Sequence, residues 1–167
     1  IYWLHGEQSN RFAVYFSFTA PGSLPEYNLM PGSIYHAKIC FYKGVGNLRA
    51  LFKECELSGE TYVPHFCSNL QEAASRYRET LQVNPFAENV PILVENIRLS
   101  AQGKQLYIQD VNNERMPVQM QETTKTDILA VTGGKPFAAF LLADANCWEL
   151  NTMWYQSNCY IWRDEHN

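Results

Sequence analysis

Residues 34–42 read Ile-Tyr-His-Ala-Lys-Ile-Cys-Phe-Tyr, and large apolar side chains alternate with polar ones along much of this stretch. Successive side chains of a β-strand point to opposite faces of its sheet, so this alternation predicts a strand with one buried face. The side chains predicted to share that face are Tyr35, Ala37, Ile39 and Phe41. His36 and Lys38 then lie on the other face.

Two neighbouring stretches carry the same signal. Residues 11–19 place four apolar side chains on one face, namely Phe12, Val14, Phe16 and Phe18. Residues 48–57 follow a glycine-containing loop at 44–47 and place Leu48, Ala50 and Phe52 on one face. Strands joined by turn residues predict an antiparallel β meander for the first part of the chain.

One amphipathic helix is marked near the middle of the chain. Ser68 is followed three residues later by Gln71, a spacing typical of a capping box at a helix start. The apolar residues that follow recur with helical spacing, at Leu70, Ala73, Ala74, Tyr77 and Leu81. Asn84-Pro85 ends the pattern, because proline disfavours helical geometry in the residue before it. The sequence therefore predicts a helix over residues 69–83.

The rest of the chain predicts short strands separated by turn residues, at 92–99, 105–109, 117–121, 137–142, 148–153 and 159–162. A short helix over 126–131 would start at Thr126 and end at Gly133-Gly134. Several short, evenly spaced strands indicate a small barrel or a sandwich, and we predict a barrel, OB-like or SH3-like. The predicted class is mainly β (α+β). Residues 1–84 would form a meander with a C-terminal helix and residues 90–163 a barrel-like subdomain, or both would form one continuous domain.

Composition excludes several classes of protein. The 167 residues carry a formal net charge of -4, which disfavours a protein that binds DNA through its backbone charge alone. No apolar run approaches the roughly 20 residues that span a bilayer. The five cysteines are an odd number and widely spaced, so we expect free, buried thiols in a reducing cytoplasm. Because the first residue is Ile1, we expect the chain to be part of a longer protein.

The sequence contains no complete metal-binding or catalytic motif. His65 and Cys67 are the one close pair of potential ligands, whereas a zinc site needs a second matching pair. No Gly-x-Ser-x-Gly elbow marks a nucleophile, although a dyad can still assemble in three dimensions. We therefore predict no cofactor, no metal site and no catalytic residues, and we keep a hydrolase-like enzyme as one alternative.

Two groups of residues are candidates for binding. Arg49 and Lys53 share one face of a predicted strand, which could hold an anion or a single-stranded nucleic acid. Three of the four tryptophans fall near the end of the chain, at Trp148, Trp154 and Trp162. Alternation predicts that Trp148 is buried and that Trp162 faces the same side as Tyr160. Trp154, with Tyr155 beside it, is then the aromatic residue expected to be exposed for contact.

Several short motifs resemble a known family. They are residues 11–13, 30–32, 41–42, 48–54, 90–93 and 131–136, together with Trp3 and Trp148. These motifs are similar to the region found C-terminal to the zinc finger in bacterial SWIM-finger proteins of unknown role. The finger itself, a Cys-x-Cys pair followed by Cys-x-His, is absent, so its metal ligands map onto no residue here. The resemblance implies an accessory module of a cytoplasmic bacterial protein.

These observations leave three hypotheses about function. The first is a non-catalytic interaction module that holds a protein or nucleic-acid partner, with no membrane association. The second is single-stranded nucleic-acid binding through Arg49, Lys53 and exposed aromatic rings. The third is a hydrolase-like enzyme, which requires a cysteine or carboxylate beside a histidine.

Overall fold

The chain folds into two compact units, residues Ile1–Val63 and Pro64–Asn167. The computed structural model describes residues 2–6, 11–15, 27, 29–30, 33–42, 49–61 and 65–162. Strands dominate both units and two helices lie in the second, so the predicted mainly-β class is confirmed. The division differs from the expected boundary after residue 84. The helix lies in the second unit because Leu70 and Ala73 belong to that unit's core.

The first unit contains a four-stranded sheet. Its strands are β1 (Tyr2–Gly6), β2 (Arg11–Tyr15), β3 (Ser33–Tyr42) and β4 (Arg49–Thr61). The strand order is β1-β2-β4-β3, with β1 antiparallel to β2, β3 antiparallel to β4, and β2 parallel to β4. Residues 16–19 and the predicted loop at 44–47 lie outside the described residues.

The alternation predicted for β3 and β4 is confirmed by their register. Ile39 pairs with Phe52 and Phe41 pairs with Ala50, so these four side chains share one face of the sheet. Phe52 and Ala50 are buried, and Phe52 packs with Leu29 in a small core. On β3 itself the predicted buried face is not found: Ile39 and Phe41 are exposed, because β3 lies at the edge of the sheet.

Helix α1 spans Leu70–Val83, as predicted, but its start is built differently from the predicted capping box. The N-cap is Asn69, whose side-chain oxygen accepts a hydrogen bond from the Glu72 amide at 2.8 Å. Glu72 in turn accepts hydrogen bonds from the amide and the hydroxyl of Ser68. The capping pattern is therefore shifted by one residue, from Ser68 and Gln71 to Asn69 and Glu72.

Six strands form the sheet of the second unit. They are β5 (Val90–Gln102), β6 (Gln105–Gln109), β7 (Arg115–Pro117), β8 (Phe137–Ala143), β9 (Trp148–Tyr155) and β10 (Asn158–Ile161). The strand order is β10-β9-β8-β5-β6-β7, and every pair of neighbours is antiparallel. Strand β5 pairs with β8 from Val90 to Ile97, across an irregularity between Val94 and Ile97, and with β6 from Arg98 to Gln102.

The chain just after β7 connects that end of the sheet to β9, the strand next to the other end. The Val118 amide donates to the Leu106 carbonyl of β6, and the next amide, of Gln119, donates to the Trp148 carbonyl of β9 at 2.8 Å. The Leu150 amide returns a hydrogen bond to Gln119, which makes a parallel bridge to β9. In the OB-like arrangement, five strands close through a parallel contact between the third and the fifth, and a helix lies between the third and the fourth. Strands β5 to β9 have this arrangement.

Helix α2 provides that helix and spans Glu122–Thr132. It begins four residues before the predicted start at Thr126. Its N-cap is Gln121, whose side chain makes no capping hydrogen bond, so no capping residue marks this start in the sequence. It ends as predicted, with Gly133 in the left-handed conformation at φ 58°. Ile128 of α2 and Leu70 of α1 join the inward-facing strand residues in one buried core.

Candidate functional site

The predicted pair of cations lies on an exposed face of β4. Arg49 and Lys53 are exposed, whereas Ala50 and Phe52 between them are buried. Acidic residues follow at once, and Glu54 forms an ion pair with Lys38 at 3.4 Å. This face therefore carries mixed charge, which weakens its attraction for an anion.

The second predicted pair lies in β9, where Trp154 is half-buried rather than exposed as predicted. Its ring meets the ring of Phe66 edge to face, with centroids 5.4 Å apart. Tyr155 is also half-buried and packs against the core of the second unit. Edge-to-face rings stabilise each other beyond the area they bury, so Trp154 is held by the fold.

The other two tryptophans of the closing cluster lie where the sequence predicts. Trp148 is buried and meets Tyr77 of α1 edge to face at 5.6 Å. Trp162 stacks on Tyr160, with centroids 6.5 Å apart, and its Nε1 donates to Asp127 Oδ2 of α2 at 2.8 Å. The cluster thus fastens the two helices to the sheet and offers no continuous stacking surface.

A different surface emerges on the outer side of β5, β6 and β7. Along these strands and just after β7 the inward side chains are apolar, and three of them are almost completely buried: Ile97, Ile108 and Val118. The side chains between them must therefore point outward. This outer face consists of Arg98, Ser100, Gln102, Gln105, Tyr107, Gln109, Arg115 and Pro117.

Strand register arranges the outer face in rows. Arg98 lies opposite Gln109, and Gln109 lies opposite Arg115, so two guanidinium groups flank one amide. The next row places Tyr107 between Ser100 and Pro117. Neighbouring strands are about 4.8 Å apart, which puts the two arginine backbones roughly 10 Å from each other with the tyrosine ring beside them.

The charge of the outer face is positive. Arg98 and Arg115 are exposed, and Lys104 is exposed in the turn between β5 and β6. None of the three forms an ion pair within the described part of the chain, whereas Lys38 pairs with Glu54 and Lys125 pairs with Glu122. No carboxylate lies in these rows. The face therefore combines cations, amides and one aromatic ring.

The chain does not bring its close cysteine and histidine into one reactive site. Cys67 is fully buried, and its backbone bridges to Val94 of β5. Burial raises the pKa of the Cys67 thiol, which disfavours the nucleophilic thiolate. His65, two residues away, is exposed.

The five cysteines are free, as predicted, but only Cys67 is buried; Cys40 and Cys159 are exposed. Exposed cysteines were not expected. They lie on strands at the edges of the two sheets, where side chains lack a neighbour on one side.

Among the residues that the structure describes, no group of three or more histidine, cysteine, aspartate or glutamate side chains is arranged to bind a metal ion. Within the same residues, no helix combines the length and apolar composition needed to cross a membrane. The chain matches no family model, no curated protein and no solved structure.

Proposed function

We propose that this protein is a non-catalytic binding module whose OB-like unit holds a single-stranded nucleic acid on the outer face of β5, β6 and β7. The observation that supports this most directly is the row Arg98–Gln109–Arg115 with Tyr107 beside it. OB-like barrels commonly bind oligonucleotides on the face of their second and third strands. In this chain those strands are β6 and β7.

The chemistry of the outer face suits a single strand. An unpaired base can stack on the ring of Tyr107, since every base has an aromatic face. The guanidinium groups of Arg98 and Arg115 can pair with phosphates on either side of that base, and Gln109 can donate and accept hydrogen bonds between them. Tyr107 is half-buried, so its ring loses little conformational freedom when a base stacks on it.

The overall charge limits the strength of this binding. The chain carries a net charge of -4, so attraction depends on the local cations Arg98, Lys104 and Arg115. If these neutralise about three phosphates, the logarithm of the association constant should fall with the logarithm of the salt concentration with a slope of about -2. We therefore expect modest affinity and a clear dependence on salt.

The test is titration of a fluorescently labelled single-stranded oligonucleotide at several salt concentrations. We expect the double variant Arg98→Gln/Arg115→Gln to weaken binding and to make the salt slope shallower by about 1.4, or 0.7 for each lost contact. The matched control is Arg49→Gln/Lys53→Gln, which removes two exposed cations from β4 and should leave the titration unchanged. Absence of salt-dependent binding by the unmodified protein would disprove the proposal. Loss of binding in the control alone would move the site to β4.

From the resemblance to the region following the SWIM finger, we also propose that the module acts within a larger cytoplasmic bacterial protein. An outer face dedicated to a single strand is consistent with an accessory role there, because the module itself supplies contact rather than chemistry. Immunodetection of the native protein in cell fractions tests this proposal, which requires a band larger than the 167 residues in the soluble fraction.

A further inference from the structure

Strand β3 exposes apolar side chains at the edge of the first sheet. The strand order β1-β2-β4-β3 leaves β3 with one neighbour among the described strands. Ile39, Phe41 and Tyr42 are 37%, 49% and 54% exposed. An exposed edge that also carries apolar side chains is a template for pairing with another strand, and proteins normally block such edges.

The charges of this edge do not block it. Between Ala37 and Tyr42 the one charged side chain is Lys38, and its ammonium group is paired with Glu54 at 3.4 Å. The segment contains no proline, and the register irregularity opposite Lys38 and Ile39 is an extra residue in β4, so β3 itself stays regular. Its backbone is therefore free of the features that usually prevent edge-to-edge association.

We infer that β3 pairs antiparallel with β3 of a second copy of this chain, about a twofold axis at Cys40. The residue pattern of β3 itself favours a second copy of β3 as the strand that pairs with it. If the pairing were shifted by one residue, the apolar side chains of the two copies would lie on opposite faces of the sheet. The twofold axis must therefore pass through a residue and not between two residues. An axis at Lys38 would place two lysines directly opposite each other, which is destabilising.

The axis at Cys40 joins the exposed apolar residues most completely. Ile39 then lies opposite Phe41 of the second copy, and symmetry gives this pair twice. Within each copy, β4 places the buried Phe52 beside Ile39 and the buried Ala50 beside Phe41. On the other face Lys38 lies opposite Tyr42 of the second copy, where its ammonium group can contact the ring. An axis at Ile39 would leave Phe41 opposite the small Ala37.

Pairing of one strand buries less area than a permanent interface, so we expect a weak dimer that dissociates on dilution. Sedimentation velocity over a wide range of protein concentration measures this. The variant Phe41→Lys should remain monomeric, because it sets a desolvated charge opposite Ile39. The matched control is Leu57→Lys: Leu57 is 57% exposed on the same face but lies on β4, opposite Tyr35 and one strand away from the paired edge, so this variant should still dimerise.

A second measurement locates the contact independently of the stability of these variants. Residues directly opposite each other in an antiparallel pair have Cα atoms about 4.5–5.5 Å apart, so a short bis-maleimide should join Cys40 to Cys40 of the second copy. We expect the cross-linked dimer to be lost in Cys40→Ser and kept in Cys159→Ser, since Cys159 is the other exposed thiol. A protein that is monomeric at all concentrations, or a cross-link that depends on Cys159, would overturn the inference.

Discussion

Asp110 Oδ2 accepts a hydrogen bond from the backbone amide of Leu70 at 2.8 Å, across 40 residues of sequence. The same carboxylate accepts from the amides of Asn112 and Glu114 through Oδ1. One buried side chain therefore ties the first turn of α1 to the turn that joins β6 to β7. A negative charge at this position also interacts favourably with the positive end of the helix dipole.

Replacing Asp110 should destabilise the second unit more than replacing other turn residues. Asp110→Ala leaves three amides without their acceptor in a site where the side chain is 6% exposed, so we expect a loss of about 2–3 kcal/mol in the free energy of unfolding. Urea denaturation measures it. Asp144→Ala is the control and should cost about 1 kcal/mol, because within the described residues Asp144 accepts hydrogen bonds from its own turn, at Asn146 and Cys147. Equal losses would show that the link to α1 contributes nothing.

Glu72 should make the stability of the protein depend on pH in the acidic range. Hydrogen bonds from the amide and then the hydroxyl of Ser68 hold the pKa of Glu72 below its ordinary value of 4.5. Its contribution is complete above the unfolded-state pKa and is lost as the pH falls through the lower folded-state pKa. Denaturation midpoints measured below pH 4.5 should therefore fall less steeply in Glu72→Gln than in the unmodified protein. Glu79→Gln, on the exposed part of the same helix, is the control and should keep the original slope.

Local patterns predicted most of the elements because each depends on neighbours in sequence. Period-two alternation located β3, and the extent of α1 followed from helical spacing and Asn84-Pro85. The start of α2 was missed because residues 122–126 contain three threonines and no capping side chain, so local propensity gives no signal there. A barrel was predicted, but the contact that closes it was not, since the hydrogen bond of Gln119 to β9 joins residues far apart in sequence.

The candidate site shows the same limit more sharply. Arg98, Tyr107 and Arg115 are unremarkable along the chain, and only strand register brings them onto one face. Sequence clustering instead drew attention to the tryptophans, and Trp154 is half-buried against Phe66. The tryptophans that cluster along the chain pack within the fold, whereas the residues of the proposed binding face are dispersed over three strands.

Tyr107 should contribute to nucleic-acid binding through its ring. Stacking of a base on an aromatic side chain is worth about 1–3 kcal/mol, so Tyr107→Ala should weaken oligonucleotide binding roughly 5- to 150-fold. Tyr107→Phe keeps the ring and should bind nearly as well as the unmodified protein. Phe86→Ala removes a ring that is 72% exposed outside this face and should have no effect. If Tyr107→Phe were as weak as Tyr107→Ala, the hydroxyl rather than the ring would make the contact, and stacking would be disproved.

The turn between β9 and β10 should be open to stabilisation by substitution. Gln156 and Ser157 both have positive φ angles, 48° and 67°, in a two-residue hairpin turn that strongly favours Asn-Gly. Left-handed backbone costs about 1–2 kcal/mol for a residue with a side chain, and glycine removes this cost. Part of the resulting gain in stability is lost again, because glycine makes the unfolded chain more flexible. Gln156→Asn/Ser157→Gly should therefore raise the free energy of unfolding by about 1 kcal/mol.

The opposite substitution at a comparable turn provides the control. Gly103 joins β5 to β6 with φ +61°, and a Cβ atom there would meet nothing within 4 Å, so Gly103→Ala should destabilise through backbone strain alone. Urea denaturation should give opposite signs for the two changes. The side-chain hydrogen bond of Gln156 to Tyr155 is long, at 3.5 Å. A loss of stability in the Asn-Gly variant would mean that the side chains of Gln156 and Ser157 nevertheless stabilise the hairpin by more than their backbone strain costs.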